Sequence, residues 1–273
     1  MASSVSQQAY LSAVDKLTAG TGSATAAQLA TVADEILSVA GLLRAQPALR
    51  RALTDPARPG ADRAELLRSL LAGKLSEAAV DTLTTLVSGR FSRPADLLDA
   101  TERLGVEAVL RSAEKAGTLA DVEDELFRFG QIVDGNAELA VTLSDPGAPT
   151  ASRVKLVEDL LRGKTQPATL RLVEVALEGF LGRRFDSSLT RLVELTAAKR
   201  DREVAYVTVA RPLGDADEQA LAAKLAQLYD RPVSLKVDVD PSILGGVSVR
   251  VGSDLYDGTI LSRLNAARQA FAK

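Results

Sequence analysis

Over the first two hundred residues, apolar positions recur every three or four places. Leu29, Val32, Ala33, Ile36, Val39, Ala40 and Leu43 form one such stripe, which predicts a helix with a single buried face. The pattern breaks at Asp55-Pro56 and again at Asp145-Pro146. A residue before proline is steered out of the helical region, and proline has no amide hydrogen to donate. Each break leads past a second proline into another helix, with Gly73 or Gly163 placed to end it. Further helices are expected over residues 77–88 and 167–181, and one long or kinked helix over residues 95–116.

After about residue 204 the period falls to two. Residues 204–210 read as a strand, and Asp215 to Glu218 open a helix with an acidic first turn and an Asp/Glu capping pair, running to about Tyr229. Val233, Leu235, Val237 and Val239 predict a second strand. Val247, Val249 and Val251 predict a third beyond Pro241 and Gly245-Gly246, and a short strand is expected near Leu255. A closing helix would bury Ile260, Leu264, Ala267 and Phe271. The fold class is therefore mainly α: two tandem helical bundles, then a small α/β domain of order β-α-β-β-(β)-α. The expected domains are residues 1–104, 105–204 and 205–273, with the helix over 95–116 closing one bundle and opening the next.

The two bundles are copies. Residues 55–74 match residues 145–164 at ten of twenty positions without a gap, a spacing of 90. The match extends upstream, where Leu29 to Ile36 pairs with Leu119 to Leu126. A duplicated unit carries a duplicated binding face, so its function has to make use of two.

Composition narrows the chemistry. The chain has 273 residues, no Cys, no His and no Trp. That removes Cys/His zinc sites, thiol nucleophiles, Ser-His-Asp triads and imidazole acid/base catalysis. Basic and acidic residues number 11 and 11 in residues 1–104, 14 and 17 in 105–204, and 8 and 8 in 205–273. No module has the basic footprint of a nucleic-acid binder. The N-terminus lacks a charged-then-apolar leader and no run of about 18 apolar residues occurs, so a cytoplasmic protein without direct membrane insertion is expected.

Candidate motifs reduce to structure. Gly163-Lys164-Thr165 suggests a phosphate loop, but the required earlier glycine is Glu158 and the first copy has Leu75 in place of the threonine. Gly245-Gly246 runs into a strand without dinucleotide-binding spacing and reads as a tight turn or close backbone approach. Glu123-Asp124-Glu125 reads as the first turns of a solvated helix rather than a metal site, and Arg50-Arg51 and Arg183-Arg184 as solvated pairs. No catalytic, metal or cofactor site is expected. Amphipathic helices are what remain, which points to a connector.

Residues 240–264, running Asp-Pro-Ser-Ile-Leu-Gly-Gly-Val-Ser-Val-Arg-Val-Gly-Ser-Asp-Leu-Tyr-Asp-Gly-Thr-Ile-Leu-Ser-Arg-Leu, resemble the C-terminal signature of the F-type ATP synthase delta subunit family. Its mitochondrial members are the oligomycin-sensitivity-conferring proteins. Residues 106–126 resemble the family's first two helices, and 143–164 and 204–213 its later segments. The resemblance covers about residues 104–273 and leaves the first copy as an extra helical domain.

The resemblance implies a six-helix bundle gripping the N-terminal helices of the alpha subunits, and a C-terminal domain holding the b-type peripheral stalk. The protein would be one copy of a non-catalytic stator subunit at the cytoplasmic face of the cell membrane, keeping the catalytic head from turning with the rotor during ATP synthesis. The alpha-subunit groove implied by this resemblance is lined by Val106, Val109, Leu110 and Ala113 on one helix and Leu170, Val173 and Leu177 on another. Asp240, Gly245, Gly246, Asp257 and Gly258 match the signature as turn residues near the stalk-binding domain. Two bundles suggest a grip on two alpha subunits, since a second contact becomes intramolecular at up to about millimolar effective concentration. An RNA-associated adaptor of the antitermination type is the alternative, and the near-neutral charge argues against it; an enzyme reading is weaker still.

Overall fold

The computed structural model describes residues 4–200, 203–229, 232–251 and 254–260. Six helices come first: α1 (Ser4–Gly20), α2 (Ala26–Ala45), α3 (Pro47–Thr54), α4 (Gly60–Leu71), α5 (Glu77–Ser88) and α6 (Pro94–Ala116). Five more follow: α7 (Leu119–Asp134), α8 (Ala137–Ser144), α9 (Thr150–Leu161), α10 (Pro167–Leu177) and, beyond a 3-10 turn at Phe180–Gly182, α11 (Phe185–Lys199). The remainder is β1 (Glu203–Val209), α12 (Asp215–Tyr229), β2 (Val233–Val239), β3 (Val247–Val251) and β4 (Asp254–Asp257).

The 90-residue offset maps helix onto helix. Moving α3 and α4 forward by 90 gives residues 137–144 and 150–161, the bounds of α8 and α9. The first residue of α1 maps to Pro94, where α6 begins, and that of α6 maps to 184, one residue before α11. The helix α6 is thus sixth in the first series and first in the second.

The repeated sequence folds the same way for the same local reasons. Asp55 Oδ1 accepts from the Ala57 amide at 2.9 Å and Asp145 Oδ1 from the Gly147 amide at 2.8 Å, so each Asp-Pro break is an Asx turn. Gly73 and Gly163 take left-handed conformations, φ 71° and 74°, just past α4 and α9, where a side chain would cost about 1–2 kcal/mol. Lys164 thus follows a helix C-terminus, as expected for it.

The acidic cluster corrects an expectation in part. Glu123 to Glu125 lie in the second turn of α7 and Asp124 is exposed, but Glu123 is fully buried, and Glu125 Oε2 accepts from the Gln166 amide at 2.9 Å and from Thr169 Oγ1 at 2.5 Å. Its counterpart Glu35 accepts from the Ser76 amide at 2.9 Å and from the Ser76 hydroxyl. Each carboxylate satisfies the open amide end of the helix after the glycine turn. The helix expected to reach residue 181 stops at Leu177, because Gly179 at φ 83° and Leu181 at φ 56° turn the chain out of it.

The chain forms two compact units, Met1–Glu125 with Glu138–Leu189, and Leu126–Ala137 with Thr190–Lys273. The first unit therefore draws on both helical series. Its core includes Leu17, Ile36, Leu43, Leu53, Leu83, Leu86, Leu97 and Leu104, all below 2% exposed, each worth about 1.5–3 kcal/mol on burial. By length and composition α2 is apolar enough to cross a membrane. Eight of its residues are nevertheless buried in this core, including Val32, Ile36 and Leu43, and it carries Asp34, Glu35 and Arg44, the pattern of a core helix.

In the second unit the strand order is β2-β1-β3-β4, with β1 parallel to β2 and antiparallel to β3, and β3 antiparallel to β4. Ala205, Val207, Val209, Val249 and Val251 pack one face against Leu225 of α12. On the other face Tyr206 stacks near Phe127 of α7 with ring centroids 6.3 Å apart, and Gln131 donates to the Val237 carbonyl at 3.2 Å. Of the expected closing helix, the residues after Ile260 lie outside the described residues.

Candidate partner-binding site

The groove residues fall on α6 and α10. Helix α6 begins at Pro94 after extended Arg93 and ends at Gly117 in the left-handed region, φ 74°. These caps explain its sharp ends. Within it Val106, Val109, Leu110 and Ala113 are buried, as are Val173 and Leu177 on α10. Leu170 is half-buried. Val109 and Leu170 come together in a cleft of about 450 Å³, where Ala30 and Asp34 of α2 form a third wall with Pro167 and Arg171 of α10.

Charged groups join these three helices. Glu102 of α6, 2% exposed, accepts from Arg44 Nη2 of α2 at 2.8 Å and from the Leu181 amide at 2.7 Å. Arg44 Nη1 reaches Glu178 at 2.7 Å, and Arg171 joins Asp34 at 2.6 Å and Glu174 at 2.8 Å. Burial pushes the Glu102 carboxyl up, outweighing the lowering effect of the Leu181 amide and Arg44. For Arg44 burial alone acts downward, and its hydrogen bonds to Glu178 and Glu102 carry the guanidinium above its ordinary value. The Leu181 backbone, in its uncommon conformation, is anchored by a carboxylate 79 residues earlier in the chain. Sequence periodicity had no means of pairing Arg44 with Glu102 and Glu178, which lie 58 and 134 residues on.

The five signature residues are turn elements of the α/β unit. Asp240 Oδ1 accepts from the Ser242 amide at 2.8 Å, and hydrogen bonds from the Ser242 hydroxyl and then its amide hold the Asp240 carboxyl below the usual range. Asp257 Oδ1 accepts from Thr259 at both its amide, 3.0 Å, and its hydroxyl, 2.7 Å. Gly245 and Gly246 have φ 134° and 88°, and a Cβ on Gly246 would stand 2.5 Å from the Gly258 carbonyl oxygen. Close backbone approach is the physical requirement there. Around these turns Leu244, Leu255, Tyr256 and Ile260 are exposed at 71%, 64%, 44% and 44%, which corrects the expectation that Ile260 is buried.

Among the described residues no group of three or more Asp or Glu side chains is arranged to hold a metal ion. The arrangement is one of helix faces, clefts and an apolar sheet edge, suited to binding other chains.

The family model of the ATP synthase delta (OSCP) subunit matches residues 106–271, the second helical series and the α/β unit. The ATP synthase subunit delta of Salinispora arenicola is 58% identical over 273 residues, covering 100% of both chains. That of Parafrankia sp. is 43% identical over 277 residues, covering 100% of this chain and 99% of its own. A chain in the solved Toxoplasma gondii mitochondrial ATP synthase hexamer is similar at a TM-score of 0.37 and 19% identity, over 63% of this chain and 97% of that one. The bacterial relatives align through residues 1–105 as well, so the extra helical series is shared with them.

Proposed function

We propose the following reading from one premise: the chain belongs to the ATP synthase delta (OSCP) subunit family, by a family match over residues 106–271 and full-length relatives. It is accordingly a non-catalytic, peripheral-stalk subunit of an ATP synthase. The RNA-adaptor alternative finds no support in these relationships, and the balance of 33 basic and 36 acidic residues agrees.

The helical part of the chain docks onto the alpha subunits at their N-terminal helices and the α/β unit holds the b-type stalk, with one copy per complex at the cytoplasmic face of the membrane. Domain roles follow the expected division at residues 104 and 204. What supports the division of labour is the placement of exposed apolar surface: Leu244, Leu255, Tyr256 and Ile260 crowd the edge strand β4 and the turns beside it. An edge strand with apolar exposure is a surface that a partner covers.

Substituting Leu244→Asp together with Leu255→Asp tests this in the full chain. Capture of purified b-type stalk should fall at least about ten-fold, equivalent to about 1.4 kcal/mol, while capture of the catalytic head is unchanged. Loss of head capture with stalk capture intact would reverse the assignment.

A further inference from the structure

The face of the second helical series that an alpha helix would need is already covered from within the chain. Val106, Val109, Leu110 and Ala113 on α6 are each at most 3% exposed. Their counterparts ninety residues earlier, Lys16, Ala19, Gly20 and Ser23, are all exposed. What distinguishes the two faces is α2. It lies so close along α6 that a Cβ on Gly105 would meet the Leu37 side chain at 2.5 Å, and Ser112 Oγ donates to the Ala26 carbonyl at 2.8 Å. It is tied to α10 at two levels, through Asp34 to Arg171 and through Arg44 to Glu178.

We infer that α2 is a built-in occupant of the α6–α10 face, so that the chain offers a partner helix one docking face instead of two. That face is the equivalent one on the first series, formed by Ser12, Asp15 and Ala19 of α1 with Ala78 and Asp81 of α5. The inference rests on the alpha-subunit reading above and specifies which repeat serves it. The second attachment expected from the duplication is then a rigid junction between the repeats rather than a second groove. Three features support rigidity: α6 belongs to both series, Glu102 is buried in the seam, and the first compact unit spans both repeats.

The chemistry of the open face differs from that of the covered one. Where α10 presents Arg171 to the acidic Asp34, the same position of α5 is Asp81; where α6 has Gly105, α1 has Asp15. Asp81 is balanced by Lys16 at 3.1 Å and Arg68 at 3.0 Å, and among the described residues no ion pair is made to Asp15. The occupant is therefore an amphipathic helix of the alpha subunit carrying a basic residue opposite Asp15. A second copy of α2 is a poor fit, because its Asp34 would face Asp81. That mismatch opposes head-to-tail association of chains, which an unfilled repeat face otherwise invites.

The test is titration calorimetry of the full chain with a synthetic peptide of the alpha subunit's N-terminal segment. One peptide per chain is expected. Asp15→Arg and Ala19→Arg, both on exposed positions of α1, should each weaken binding at least about ten-fold, and Leu170→Arg in the cleft should change it less than about two-fold. Helical circular dichroism identical to wild type establishes that the variants fold. Two peptides per chain, or weakening by Leu170→Arg equal to that of Asp15→Arg, would overturn the inference while leaving the alpha-subunit reading intact. No binding to the wild-type chain would overturn that reading itself.

Discussion

Replacing Glu102 by alanine tests whether the seam between the repeats is a stabilising contact or a coincidence of packing. The carboxylate accepts from the Leu181 amide at 2.7 Å and from Arg44 at 2.8 Å. Its loss leaves the Leu181 amide without this acceptor, at a cost of about 1–3 kcal/mol. Arg44 also loses a partner, but its side chain is 33% exposed and keeps Glu178, so this adds only about 1 kcal/mol. The sum is about 3 kcal/mol, which at a urea slope of about 2–3 kcal/mol/M lowers the midpoint by about 1 M. Glu102→Gln retains an oxygen for Leu181 and should cost about 1 kcal/mol or less.

Urea unfolding followed by helical circular dichroism measures both variants, and pH supplies a further check. Burial raises the folded-state pKa of Glu102 above its ordinary 4.5, so the folded chain holds a proton that the unfolded chain has released. Its contribution is complete below 4.5 and is lost as pH rises through the raised value. Wild-type stability should therefore decline relative to Glu102→Gln as pH rises through that window. A Glu102→Ala midpoint within about 0.2 M of wild type would show instead that the Leu181 amide finds another acceptor at no cost and that the seam contact is not stabilising.

Other consequences are equally direct. Gly73→Ala and Gly163→Ala should each cost about 1–2 kcal/mol in urea unfolding, with additive effects, because both glycines are left-handed with open space around an added Cβ. Arg63→Ala should cost about 3 kcal/mol and Arg153→Ala about 1 kcal/mol. Arg63 donates to the carbonyls of Asp55, Arg58, Val87, Ser88 and Gly89, whereas Arg153 donates to Leu143 and Thr150 and its buried Nε has no partner. Gly246→Ala should cost at least about 2 kcal/mol and reduce stalk capture, since the new methyl meets backbone at Gly258 and Thr259.

Local rules carried the helices a long way. Prolines at 56, 59, 146 and 149 and glycines at 73 and 163 act on their own neighbours, so breaks and ends were readable from sequence. Alternating valines likewise placed β1, β2 and β3. Reading failed where the deciding contact is distant. Glu125 was expected on a solvated helix, yet it and its counterpart Glu35 each close a helix 41 residues later. The retained Asp-Glu pair in both copies was the available signal. The stripe of apolar residues on α6 likewise does not reveal that α2 of the same chain lies along it. The end of α10 was missed because Leu181 adopts a conformation that few non-glycine residues take.

The chain contains no cysteine, so a single introduced thiol reports its neighbour without interference. Ala19→Cys on α1 and Leu255→Cys on β4, each carrying a photoactivated crosslinker in the reconstituted ATP synthase, identify what each surface touches. Adducts of Ala19→Cys with an alpha subunit and of Leu255→Cys with the b-type stalk are expected. Exchange of those partners, or alpha-subunit adducts from both sites, would overturn the assignment of the helical repeats to the head and of the α/β unit to the stalk.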